Sequence, residues 1–158
     1  MRRKTLSVKI GKVFIGSDHS IKTQSMTTAS TMDTDKSVDE AIRIIQAGGK
    51  LVRFTAPNIN EAKNLLNIKD ALVAKGYDDP LVADIHFTPN AALEASKIVE
   101  KVRINPGNYV DKKKFEVKEY DDKSYQDELL KIEKKFIPLI NSCKKNNVAM
   151  RILSLIHI

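Results

Sequence analysis

The chain has 158 residues, a length that fits one domain with a real core; its composition is ordinary for a soluble globular protein. Lysine and arginine number 27 against 20 acidic residues, a formal charge of +7, which suits an anionic partner such as nucleic acid, an acidic surface or a phosphorylated metabolite. One cysteine, Cys143, excludes an intrachain disulfide and an all-cysteine metal site; no apolar leader follows "MRRKTLSVKI" and no stretch reaches membrane-spanning length, so a cytoplasmic chain without membrane contact is expected.

Taken in chain order, "SVKIGKVFIG" alternates around Gly11 and predicts a short N-terminal hairpin. "IKTQSM" is a candidate first strand of the main sheet. "SVDEAIRIIQAGG" opens with Ser37 and Glu40 at capping-box spacing. Val38, Ala41, Ile42 and Ile45 then form a helical stripe, and Gly48 and Gly49 end it. "LVRFT" reads as a strand. "NINEAKNLLNIKDALVAKG" reads as a helix capped by Asn58 and Glu61, with Leu65, Ile68 and Leu72 on its apolar face. "PLVADIHF" is the next strand. "TPNAALEASKIVE" begins a helix with Thr88 as N-cap and Pro89 at the first helical position, where its missing N–H costs nothing. "KVRIN" is a strand, and "PGNYVDKKKFEVKEYDD" a long polar loop. "SYQDELLKIEKKFIPLINSCKKNN" predicts a long helix with Leu129, Ile132, Phe136, Leu139 and Cys143 on one face and a kink at Pro138. "VAMRI" is the last strand. Most lysines fall in mixed-charge stretches such as "KIEKK" and "DKKK", which read as solvated faces.

Strand and helix thus alternate through to a fifth strand, the pattern of a parallel sheet with crossover helices. Two architectures fit: a doubly wound open sheet, or part of a (β/α)8 barrel. In both, ligands bind at the C-terminal ends of the strands. Each strand places polar groups there: Gln24, Ser25 and Met26 on the first, Arg53 on the second, Asp84 and His86 on the third, Arg103 and Asn105 on the fourth, Arg151 on the fifth. A single strand arginine is commonly an ion-pair partner. Three converging guanidinium groups repel unless they share an anion, and their planar forks match phosphate oxygens. The expectation is a small molecule bearing a di- or polyphosphate. Asp84 and His86, two apart and so on one side of a strand, are candidates for positioning or proton transfer beside it. No Walker or dinucleotide glycine loop is present.

"QSMTT", "LVRFTAPN", "VADIHF", "VRINPGN" and "MRI", in this order, make residues 6 to 152 resemble the N-terminal barrel of the 4-hydroxy-3-methylbut-2-enyl diphosphate synthase family, in its longer form. The resemblance implies an α/β fold: a partial (β/α)8 TIM barrel of about five parallel strands, preceded by the short β-hairpin. Residues 1–152 would be the N-terminal part of the substrate domain, and 153–158 ("LSLIHI") a tail foreign to the family, of artefactual origin. The family's enzyme reductively opens 2-C-methyl-D-erythritol 2,4-cyclodiphosphate in isoprenoid biosynthesis. It carries a 4Fe-4S cluster on a separate domain and takes electrons from ferredoxin or flavodoxin. By motif match, Arg53, Arg103 and Arg151 would hold the diphosphate, with Asn105, Gln24, Ser25 and Met26 lining the pocket and Asp84 and His86 catalytic. A cluster needs thiolates, so this chain is expected to bind no metal and to be inactive alone. Five strands leave two sheet edges bare, which favours a homo-oligomer. The alternative is a basic α/β module binding a phosphorylated metabolite or nucleic acid; with 6% aromatic residues and no RNA-binding motif, no nucleic acid is expected.

Overall fold

The computed structural model describes residues 3–105, 109 and 121–153. Strands β1 (Val8–Ile10) and β2 (Val13–Ile15) pair antiparallel. Gly11 turns between them at φ +54°, a backbone state that side-chain-bearing residues rarely adopt. Then come β3 (Gln24–Met26), α1 (Thr34–Gln46), β4 (Leu51–Thr55), α2 (Ile59–Ala74), β5 (Leu81–Ile85), α3 (Pro89–Ala95), β6 (Lys101–Ile104), α4 (Asp122–Asn146) and β7 (Ala149–Ile152). The last five strands form one sheet in the order β3-β4-β5-β6-β7, every neighbouring pair parallel.

Two features settle the choice between architectures. The strand order is the chain order, with no reversal. One core also takes in all four of the described helices: Val38 and Ala41 of α1, Leu65, Ile68 and Leu72 of α2, Ala91 and Ala95 of α3, Leu139 and Cys143 of α4. They pack on Val52, Phe54, Ala83, Ile85, Val102 and Ile104. A doubly wound sheet reverses its order and carries helices on both faces; helices on one face only make an arc of a barrel. Each fully buried leucine or isoleucine of that layer contributes about 1.5–3 kcal/mol.

Strand residues of the other parity face the inside of the arc. Near the N-terminal ends of the strands this face is apolar: Leu51 and Val82 cluster with Ile10 of the hairpin, and Ile15 and Ala149 pack against them. The hairpin therefore closes the floor, and most polar positions of this face lie above it, toward the C-terminal ends; Gln24 and Lys101 sit at the level of the floor itself.

Several local expectations change. The cap of α1 is Asp33, whose carboxylate accepts from the Lys36 N–H, four residues earlier than the expected Ser37. Ser37 is buried inside the helix and donates to the Ser30 carbonyl, while Glu40 turns back to the loop after β3. The Ser-x-x-Glu spacing was present, but Asp33 offered a better acceptor upstream. Asn58 caps α2 as expected, accepting from the N–H groups of Asn60 and Glu61. Thr88 occupies the N-cap of α3 with Pro89 next, but its hydroxyl donates to the Pro57 carbonyl instead of capping, and the helix ends at Ala95. In α4 the apolar face is buried only at its C-terminal half: Leu139 and Cys143 lie in the core, Leu129 and Ile132 are exposed. Pro138 lies inside a helix that runs without interruption from Asp122 to Asn146. The loop expected over 106–122 lies, apart from Tyr109 and its last two residues, outside the described residues, as does the tail 154–158.

Candidate functional site

Asp84 is the centre of the site. It is the fourth residue of β5, and its side chain is 1% exposed. Register sets Thr55 on one side of it and Arg103 on the other, and Arg103 in turn faces Arg151 across β6 and β7. Arg103 Nη1 donates to Asp84 Oδ1 at 2.6 Å. Arg53 Nη2 lies 3.1 Å from Asp84 Oδ2. One buried carboxylate thus holds arginines from the strands on both sides, and both its oxygens are engaged. Removing Asp84 would leave two guanidinium groups without their shared carboxylate, that of Arg103 in a nearly dry place, so the arrangement holds together as a unit.

His86, two residues on, is 41% exposed at its side chain and sits over the same pair. Its Nε2 lies 2.6 Å from Arg103 Nη1 and 3.4 Å from Asp84 Oδ1. A guanidinium only donates. Nε2 must therefore accept from Arg103, which puts the ring proton on Nδ1 and leaves the imidazole neutral. The longer approach to Asp84 Oδ1 is then not a hydrogen bond.

Arg53 also donates from Nε to the Met26 sulfur at 3.2 Å. Met26 pairs in register with Arg53, and Gln24 with Leu51, so both share the inner face. Ser25 pairs with Val52, which belongs to the helix-facing core. It lines a cavity of about 440 Å³ with Thr28, Glu40 and Arg43 beside α1, which the half-exposed Met26 also borders. Of the three residues expected at the end of the first strand, the structure turns Ser25 away from the arginines. Asn105 is buried just past β6, two residues after Arg103. Arg151 is exposed, and no ion pair engages it among the described residues.

One residue at this site escaped the sequence reading. Lys101, two before Arg103, is 7% exposed. Burial pushes its ammonium below the usual lysine range, and the positive charges of Arg151 and Arg53 push it further. The signal was there in the alternation Lys101, Arg103, Asn105, but Lys101 lies at the N-terminal start of the strand, away from the end where ligand groups are sought.

A cavity of about 1050 Å³ lies elsewhere, between the hairpin, β7 and α4, with Lys9, Phe136, Cys143 and Met150 in its wall. None of the Arg–Asp–His residues borders it. No group of three or more His, Cys, Asp or Glu suited to a metal occurs among the described residues. Cys143 is packed in the helix-side core, and burial pushes its thiol up. These residues do not fit an iron–sulfur cluster.

Fold and site together define a class: a singly wound β/α barrel segment with an apolar floor and a cationic cluster at the C-terminal ends of its strands. The family described as "GcpE TIM-barrel domain" matches residues 5–153. The chain belongs to that family. Relatives named 4-hydroxy-3-methylbut-2-en-1-yl diphosphate synthase (flavodoxin) align over nearly the whole chain. The one from Chlamydia abortus is 53% identical over 152 residues, 96% of this chain and 25% of its own. That from Akkermansia muciniphila is 51% identical over 96% of this chain and 26% of its own. That from Bacteroides thetaiotaomicron is 50% identical over 96% and 25%. The chain thus spans about a quarter of the length of the curated relatives it matches.

Proposed function

We propose that this chain is the diphosphate-holding arc of a 4-hydroxy-3-methylbut-2-en-1-yl diphosphate synthase, acting on 2-C-methyl-D-erythritol 2,4-cyclodiphosphate in isoprenoid biosynthesis. The observation that carries the reading is the imbalance around Asp84: Arg53 and Arg103 share one carboxylate, and Arg151 stands beside Arg103 without one among the described residues. Their spare N–H donors suit the oxygens of a diphosphate. Asp84 fixes the two guanidinium groups so that little side-chain entropy is lost on binding. His86, its side chain partly exposed beside Asp84 and Arg103, faces the ligand and is the proton-transfer candidate. Asn105, Gln24 and Met26 line the pocket.

The family's redox chemistry is supplied by a 4Fe-4S cluster; on this reading it resides outside the chain, and flavodoxin, as in the relatives' names, is the electron donor. The chain alone is then inactive as a reductase but competent to bind substrate. Two copies would associate across the edges of β3 and β7, the end strands of the sheet. Residues 154–158 lie beyond the family match, which runs to residue 153.

Calorimetric titration of the chain with the cyclic diphosphate tests this. Saturable binding that weakens about tenfold or more in Arg151→Ala is expected, the size of one charge-assisted contact. No binding of the cyclic diphosphate, together with salt-sensitive binding of any oligonucleotide, would replace this reading with that of a basic nucleic-acid module.

A further inference from the structure

We propose that Lys101 is a fourth cation of the anion site, reaching the bound diphosphate from beneath the three arginines; this rests on the diphosphate reading above. Lys101 and Arg103 share the inner face of β6, because side chains two apart on a strand point the same way. Its neighbours in register are Val82 and Ala149, both part of the apolar floor under the site. The stem of the side chain therefore runs along apolar surface, and the ammonium has only the polar level above in which to find partners.

That level holds Arg53, Arg103, Arg151 and His86, with Asp84 as its carboxylate among the described residues. Both oxygens of Asp84 are taken by Arg103 and Arg53. Lys101 has no ion pair among the described residues, and its electrostatic neighbours are Arg151 and Arg53, which repel it. A buried ammonium facing like charges is costly unless an anion joins it. Four cations against one carboxylate leave three positive charges, a good match to a diphosphate and an excess for a single phosphate monoester. Lys101 accordingly selects for the doubly phosphorylated ligand: the arginines grip the outer oxygens, and the ammonium, a point charge on a flexible stem, takes the inner ones.

The test is titration of the full chain with inorganic diphosphate and with orthophosphate, in wild type, Lys101→Met and Arg151→Ala, each checked for folding by circular dichroism. In Lys101→Met, diphosphate binding is expected to weaken about tenfold or more, with orthophosphate affected less. In wild type, the Lys101 side-chain ¹³Cε titration, followed by NMR, is expected to move to higher pH when diphosphate is bound. If Arg151→Ala loses diphosphate while Lys101→Met keeps it, the anion site stands and the role of Lys101 falls. If wild type binds no diphosphate, both fall. Should Lys101→Met fail to fold, the wild-type NMR titration decides: an unmoved midpoint overturns the proposal.

Discussion

Arg103 Nη1 lies 2.6 Å from Asp84 Oδ1, and the two residues face each other in register on adjacent strands, both nearly sealed from water. Breaking a buried pair from one side is far more damaging than replacing both members. Asp84→Ala, which strands two arginines, is expected to lower stability by about 3 kcal/mol in urea denaturation. The double variant Asp84→Leu, Arg103→Leu should recover a large part of that loss. Equal destabilisation by the double variant would mean that the pair is not the stabilising unit described.

His86 should carry its proton on Nδ1. A long-range ¹H–¹⁵N correlation spectrum at neutral pH is expected to show Nδ1 protonated and Nε2 bearing the lone pair. In Arg103→Ala, which removes the donor to Nε2, the other tautomer should gain. A wild-type ring protonated at Nε2 would contradict the Arg103 contact.

Glu40 ties the loop after β3 to α1. Its carboxylate accepts from the N–H groups of Ala29 and Thr28 and from the Thr28 hydroxyl, and these bonds hold its pKa below the ordinary 4.5. A depressed carboxylate adds stability that is present above its unfolded value and lost as pH falls through the folded one. Glu40→Gln should cost about 1–2 kcal/mol at pH 7 and should flatten the loss of stability below pH 4.5. An unchanged acid limb would show that Glu40 is not its source.

Tyr109 is 2% exposed and packs edge-on against Phe136 at 5.9 Å, yet its hydroxyl is buried without a hydrogen-bond partner among the described residues. Burial pushes the phenol up to about 12. Tyr109→Phe keeps the ring contact and removes the orphan oxygen, so the variant should be about 1 kcal/mol more stable. Destabilisation of that size in thermal or chemical unfolding would reveal a partner for the hydroxyl.

The alternation of strands and helices, the polar groups at the strand ends and the apolar helix faces Leu65–Ile68–Leu72 and Leu139–Cys143 were legible in the sequence, because each is a local period of two or of 3.6 residues. So were the members of the central cluster, Arg53, Asp84, His86 and Arg103. The family motifs carried the choice of a barrel; in the fold, the single core joining the four described helices made the same choice. What local pattern could not supply was which neighbour each side chain meets. Ser25 and Met26 look equivalent in "QSM", yet pairing with β4 sends Ser25 to the helices and Met26 to Arg53. Ser37 had the spacing of a cap, yet Asp33 took it. Leu129 and Ile132 continued the stripe of α4 on paper, yet the partner elements reach only its C-terminal half. Nothing in "KVRIN" singles out Lys101, yet the hairpin closes the floor around it. The sequence by itself determined the elements and the chemistry they carry. Only the tertiary structure decided that two arginines share one carboxylate and that a lysine lies buried near them. Those facts depend on strand register and on packing between residues distant in the chain, where no local period reaches.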